Sequence, residues 1–203
     1  MKYLIAKLVF WLTGWTLDAT KEQITAARNT VMIAAPHTSN YDLIFAMGTF
    51  WLMRLPVKFF IKDFYTKWYF FGFFKWLGAI GVDRSKRSNL VDYATELLTK
   101  RDDITLMVPA EGTRKAVDKW KTGFYHIAVK SGKNISLGYL DYGKKYAGIL
   151  DIIAAGDQKE TFDKIQNLYK DVEAKYPELY NKVINDNRFV GIIVDAVKAE
   201  FQS

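Results

Sequence analysis

The sequence predicts a single α/β domain: a mixed, mostly parallel sheet flanked by helices and preceded by an amphipathic N-terminal helix. Three observations carry that expectation. The chain has 203 residues, enough for one well-buried core and too few for two full domains. Short apolar runs, partly β-branched, alternate with stretches of helical periodicity, the pattern of strands covered by helices. Half of the residues are hydrophobic and a quarter charged, without repeats or Gly/Ser/Pro-rich tracts, which argues against disorder and linkers.

Taken in order, the elements begin with MKYLIAKLVFWLTGW, which carries Lys2 and Lys7 and is shorter than the roughly 20 apolar residues a spanning helix needs. No small-x-small cleavage pattern follows it, so a signal peptide is not expected. At helical spacing Leu4, Ile5, Leu8, Leu12 and Trp15 share one face and Lys7 falls outside it, which predicts an amphipathic helix over residues 1–16, lying on a bilayer or on the domain. The domain itself is assigned to residues 17–203. A polar, helix-compatible stretch runs from Asp18 to Arg28. Strands are then predicted at Thr30–Ala35, Val57–Ile61, Ala79–Val82, Ile104–Pro109, Asn134–Leu140 and Tyr146–Ala155. Helices are predicted at Leu43–Arg54, Asn89–Lys100, Gly123–Ser131 and Lys159–Lys175, and Pro36 ends the first strand. Beyond Tyr176 the pattern fits either a strand or a short helix.

Charge and rings narrow the classes of partner. The net charge is +7, and it is concentrated: eight Lys/Arg between Arg54 and Arg87 face Asp63 and Asp83, and eight more between Glu111 and Lys145 face three acids. Such a surface attracts phosphate-bearing partners. The run from Phe59 to Trp76, FFIKDFYTKWYFFGFFKW, interleaves rings with Lys62, Lys67 and Lys75, a composition suited to a membrane interface, although a core strand and helix with solvated lysines would also produce it. The absence of cysteine excludes disulfides, thiolate metal sites and a cysteine nucleophile.

Three strand ends carry polar loops, where α/β sheets usually bind ligands. In PHTSNYD, His37 follows the first strand; the turn at Pro36 allows Ser39 to cap the next helix with Asp42 at its third position, reaching back to the imidazole. That pair suits general-base catalysis, His37 taking a proton from a hydroxyl while Asp42 orients the ring. Ser39-x-x-Asp42 is equally a variant of the capping box, which would put an acid there without catalysis. In GAIGVDRSKR, Arg84 offers a charged fork suited to phosphate, or a solvated basic turn. In VPAEGTRK and WKTG, Gly112 permits close backbone approach beside Glu111, Thr113 and Arg114. The other histidine, His126, sits in a predicted helix and reads as a packed or partly exposed helix residue rather than a second base.

Together these loops resemble the motifs of the 1-acylglycerol-3-phosphate acyltransferase family, part of the lysophospholipid/glycerolipid acyltransferases, in the same order and over residues 30–140. His37-x-Ser39-x-x-Asp42 matches the family's first, catalytic block. Ile80 to Arg84 resembles the second, whose arginine binds the acceptor's phosphate. Glu111-Gly112-Thr113-Arg114 matches the third, and Trp120-Lys121-x-Gly123 resembles the motif that often follows. Pro36 stands where many members have Asn, and Ile135-Ser136-Leu137-Gly138 lacks the proline usual in the fourth block.

The resemblance implies an enzyme that moves a fatty acyl chain directly from acyl-CoA or acyl carrier protein to the hydroxyl of a lysophospholipid, 1-acylglycerol-3-phosphate above all, in phospholipid biosynthesis. His37 and Asp42 would be catalytic. Ser39, Arg84, Glu111, Gly112, Thr113, Arg114 and Lys121 would bind substrate, and backbone N–H groups at the start of the Asp42 helix are candidate oxyanion donors. The helix from Leu43 and the aromatic run would line the acyl chain's route. No metal or cofactor is expected, and no nucleic acid; membrane lipids are, with peripheral attachment on the cytoplasmic face of a membrane. The departures at Pro36 and in the fourth block keep open an acceptor that is a hydroxylated or lyso-aminolipid. A thioesterase, a noncatalytic membrane-binding protein and a nucleic-acid-binding module are the rivals, the last two leaving the histidine motif idle.

Overall fold

A computed structural model of the chain describes residues 1–83, 90–117 and 119–181. Helix α1 (Lys2–Thr13) ends on Gly14 in the left-handed region, at φ 72°. Strand β1 (Thr16–Asp18) and helix α2 (Lys21–Ala26) follow, then β2 (Val31–Ala35), α3 (Tyr41–Met53) and β3 (Val57–Lys62). Two single 3₁₀ turns lead to α4 (Phe73–Leu77) and β4 (Ala79–Val82). The remaining elements are α5 (Leu90–Lys100), β5 (Thr105–Pro109), α6 (Gly123–Ser131), the β6 (Ile135–Asp141) and β7 (Tyr146–Ile153) hairpin, and α7 (Gln158–Tyr169).

The seven strands form one sheet in the order β1-β7-β6-β2-β5-β3-β4, and every pairing is parallel except that of β6 with β7. The predicted mixed, mostly parallel sheet flanked by helices is therefore the fold. β2 lies between β6 and β5, and its side chains alternate as the pleat requires. Val31, Ile33 and Ala35 enter the core with Leu98, Phe124, Ile127 and Ile165 from α5, α6 and α7, while Met32 enters the opposite core with Met47, Phe50 and Met53 from α3. Parallel register places Ala34 opposite Pro109, so the loops after β2 and β5 leave the sheet side by side.

Helix α1 keeps Leu4, Ile5, Leu8 and Leu12 on one face, as expected, but not Trp15. It packs on α3 through buried Ala6 and Phe10. The crossing is close enough that a Cβ on Gly48 would lie 2.7 Å from the Phe10 ring, so this α3 position has no room for a side chain. Leu4, Ile5, Leu8, Trp11 and Leu12 point away from the domain and are exposed. Trp15 does not share that face, because the helix has already stopped at Gly14; it is buried against Phe45.

Three other segments depart from the sequence expectation. The polar stretch from Asp18 is helical only from Lys21, where Thr20 and Gln23 form a reciprocal capping box, and the residues before it extend as an edge strand. The aromatic run is a strand, two 3₁₀ turns and one short helix, with Trp68 83% and Phe71 93% exposed. The last helix ends at Tyr169 rather than Lys175, because the chain turns there to run across the end of the sheet where the loop after β2 leaves: Glu173 O accepts the Tyr142 N–H, and Thr38 Oγ1 accepts the Tyr176 N–H. Pro177–Leu179 forms a 3₁₀ turn, and the ambiguous tail beyond Asn181 lies outside the described residues.

Candidate active site

The loop after β2 turns at Pro36 and enters α3 at Tyr41, with Asn40 rather than Ser39 in the capping position. Ser39 is buried, and its hydroxyl accepts the Tyr41 N–H at 3.1 Å. Asp42 thus sits in the first helical turn and reaches back over the loop. Its Oδ2 accepts from the Thr38 and Ser39 N–H groups at 2.9 and 2.8 Å and lies 3.1 Å from His37 Nδ1. The Thr38, Ser39 and Tyr41 amides are thus committed to Asp42 and Ser39, and these three are not free to serve as oxyanion donors.

The other carboxylate oxygen, Oδ1, accepts the hydroxyl of Tyr142 at 2.7 Å, from the turn between β6 and β7. Burial of Asp42 is the largest influence and favours its neutral form, but the donors from His37, Tyr142 and Ser39 together hold the carboxyl below its ordinary range. Asp42 is therefore an anion at neutral pH. With Nδ1 as donor to it, a neutral His37 ring keeps Nε2 as a proton acceptor.

Beneath the loop lies Glu111, 1% exposed, whose Oε1 accepts the His37 backbone N–H at 2.7 Å. Its Oε2 is buried without a hydrogen-bond partner. Burial, and then the nearby Asp42, push the carboxyl up to about 7 against the opposing pull of the His37 N–H. Gly112 follows at φ 70°, a left-handed turn that favours glycine, and the Lys121 side chain lies across it, 2.8 Å from where a Cβ would be. Thr113 accepts the Lys115 N–H at 3.3 Å. Arg114 is exposed and donates to Asn40 Oδ1 at 2.5 Å, which brings the third motif against the start of α3. Trp120 is buried and donates to Asn181 O at 3.2 Å.

His37, Asp42 and Arg114 stand on a pocket of about 270 Å³ whose apolar wall includes Leu43, Ala46 and Phe50 of α3, Phe59 and Ile61 of β3, and Phe74 of α4. A larger cleft, about 600 Å³, opens at the other end of α3 between Tyr3, Arg54 and Trp76, away from the histidine. Of these two pockets, the smaller one brings His37 to an apolar wall, whereas the larger has no histidine in its lining. Arg84 lies outside the described residues. His126 is exposed on α6 beside Tyr125, apart from the site. Among the described residues no group of three His, Asp or Glu side chains is placed to hold a metal ion. The sequence did not single out Tyr142, whose partner is 100 residues away, and no local pattern marks it.

An α/β sheet here brings an Asp-held histidine to the rim of an apolar pocket, an arrangement able to move a proton beside an apolar group. Residues 17–140 match the acyltransferase family model, more than half of the chain, and the protein belongs to that family as an acyltransferase enzyme. The fold is similar to the crystal structure of the 1-acyl-sn-glycerophosphate acyltransferase PlsC from Thermotoga maritima, with a TM-score of 0.58 at 18% identity, covering 86% of this chain and 80% of that one. A search of curated proteins gives no match.

Proposed function

We propose that the protein transfers a fatty acyl chain from acyl-CoA or acyl carrier protein to the hydroxyl of a lysophospholipid, with 1-acylglycerol-3-phosphate as the acceptor. The observation that carries this reading is His37 Nδ1 held 3.1 Å from Asp42 Oδ2 at the rim of the apolar pocket. Nε2 of His37 takes the proton of the acceptor hydroxyl as its oxygen attacks the thioester carbonyl. The tetrahedral intermediate collapses, the C–S bond breaks, and the thiolate leaves with the proton returned from His37. Asp42 keeps the imidazole in the Nδ1–H tautomer and stabilises the imidazolium between those two proton transfers.

The pocket supports an acyl substrate, since its lining from Leu43 to Phe50 and from Phe59 to Phe74 offers mainly apolar contact. Arg114 is the described cation on that pocket and is assigned to the acceptor's phosphate. Peripheral attachment to the cytoplasmic face of a membrane belongs to the same proposal, supported by the exposed apolar side chains of α1 and of the aromatic turns, which would lie at the headgroup level. Among the described residues no helix is long and apolar enough to cross a membrane.

The test is mass spectrometry of lipids after incubation with each acyl thioester and a panel of phosphorylated and unphosphorylated lyso-acceptors. Acylated 1-acylglycerol-3-phosphate is expected. Acylation confined to a lyso-aminolipid would replace the acceptor, and thiol release that does not respond to any acceptor would make the protein a thioesterase.

A further inference from the structure

The His37–Asp42 pair has a second support that the motif does not contain. Three donors crowd Asp42 Oδ2, and Oδ1 accepts the Tyr142 hydroxyl at 2.7 Å. Tyr142 lies beyond the residues matched to the family, in the turn after β6. Its ring is seated edge-on against Trp15 at 5.0 Å and Phe45 at 5.9 Å, while Trp15 stacks on Phe45 at 4.2 Å. Its backbone N–H is tied to Glu173 O at 2.9 Å. The hydroxyl is thus aimed by packing on one side and by the main chain on the other.

We infer that Tyr142 is a positioning residue for the acyl transfer, fixing the Asp42 carboxylate and setting how strongly it holds the His37 proton. The inference rests on the proposed role of His37 as base. A carboxylate pinned at only one oxygen can rotate about its terminal bond, and a bond to each oxygen removes that freedom. A donor on Oδ1 also draws negative charge away from the oxygen facing His37. Loss of that donor makes Asp42 a better partner for the imidazolium, so His37 gives up its proton less readily. Burial and the contact with Asp42 push the Tyr142 hydroxyl far above its ordinary value, so it stays a donor through the working range.

Other charged or titratable groups face the pair. They are Glu111 beneath His37, Arg114 on the same pocket, Tyr176, and Lys175, which lies 5.9 Å from the Tyr142 ring centre. All are unchanged in variants at position 142, so differences between those variants report Tyr142 alone.

The test is a graded series at this position in the full chain: Tyr142→Phe, the native residue, and 3-fluorotyrosine as a stronger donor, with His37→Ala beside them. In Tyr142→Phe, kcat is expected to fall about tenfold at nearly constant KM, the scale of one hydrogen bond to a charged group. The acidic limb of the kcat/KM profile should move to higher pH by roughly half a unit, and in the fluorotyrosine protein to lower pH. Thermal midpoints, measured alongside, show that each variant is folded. A Tyr142→Phe enzyme with lower activity but an unmoved acidic limb makes the tyrosine merely structural and overturns the inference while His37 remains the base. Activity that survives His37→Ala removes the base itself and overturns both.

Discussion

Glu111 accepts the backbone N–H of His37 at 2.7 Å, so a buried carboxyl from the loop after β5 holds up the loop after β2. The parallel register of β2 with β5 makes this possible, since Ala34 and Pro109 are paired neighbours just before the two residues. Because burial raises the Glu111 carboxyl to about 7, the folded protein keeps a proton there that the unfolded chain releases nearer the ordinary carboxylate range. Stability is then greatest below the unfolded value and is lost as pH rises through about 7. Glu111→Gln mimics the protonated form and keeps an oxygen for the His37 N–H. Its thermal midpoint should match that of the native protein at pH 5 and exceed it at pH 8, by a stability difference on the order of 3 kcal/mol. Parallel melting curves at both pH values would refute a raised Glu111.

His37→Ala and Asp42→Asn should each lower kcat by at least about a hundredfold, the usual scale of general-base catalysis, with circular dichroism unchanged. The pair works through one proton, so the double variant should be little worse than His37→Ala alone. Asp42→Asn has a further cost. Its amide cannot accept from Thr38, Ser39, His37 and Tyr142 as a carboxylate does, so a fall in thermal midpoint is expected there and not in His37→Ala. Steady-state rates with any acyl thioester it accepts decide the matter, and near-native turnover in His37→Ala would remove the base.

Much of this was legible in the sequence because it is local or periodic. The short, apolar, partly β-branched run TVMIAA predicted the central strand, and the short reach from His37 to Asp42 predicted the pair. Less accessible were features set by residues far apart in the chain. Tyr142 meets Asp42 only because β6 lies beside β2, and α7 stops at Tyr169 because the following residues are drawn across Tyr142 and Thr38. Periodicity overran Gly14 and placed Trp15 on the helix, whereas a left-handed glycine sends the indole back to Phe45. Glu111 was read as part of a substrate loop from its motif; its burial beneath His37 is a product of strand register.

Helix α1 offers a test of membrane attachment that spares the fold. Removing residues 1–15 would delete Phe10 and Trp15 from the core, so loss of binding would not be separable from unfolding. Leu8 and Trp11 are 55% and 75% exposed, so replacing them removes little packing from the core. Leu8→Glu with Trp11→Glu should leave the thermal midpoint within about 0.5 kcal/mol of native stability. Binding to anionic vesicles should weaken at least tenfold, as expected when side chains worth about 1.5 to 3 kcal/mol of burial each are replaced by acids. Added salt should weaken the native interaction by screening its basic surface. Vesicle sedimentation that is the same for native and variant protein would contradict docking through this face.

Arg114 is where the identity of the acceptor can be read. It lies on the pocket that holds His37, and its guanidinium donates one hydrogen bond to Asn40 at the start of α3, which orients it toward that loop. If it grips an acceptor phosphate, Arg114→Ala removes charge-assisted hydrogen bonds worth about 1.5 to 3 kcal/mol, a fall of roughly tenfold to 150-fold in kcat/KM. Arg114→Lys should restore only part of this, because an ammonium supplies a charge but not a planar fork. The Asn40 contact gives a control. Asn40→Ala loosens the guanidinium without removing it, and should cost less than Arg114→Ala on the phosphorylated acceptor and nothing on an unphosphorylated one. A tether that supports only the loop would instead give equal losses for both acceptors in both variants. Kinetics of the three variants on one phosphorylated and one unphosphorylated lyso-acceptor therefore separate a phosphate clamp from a structural brace, and equal losses would shift the acceptor to the aminolipid class.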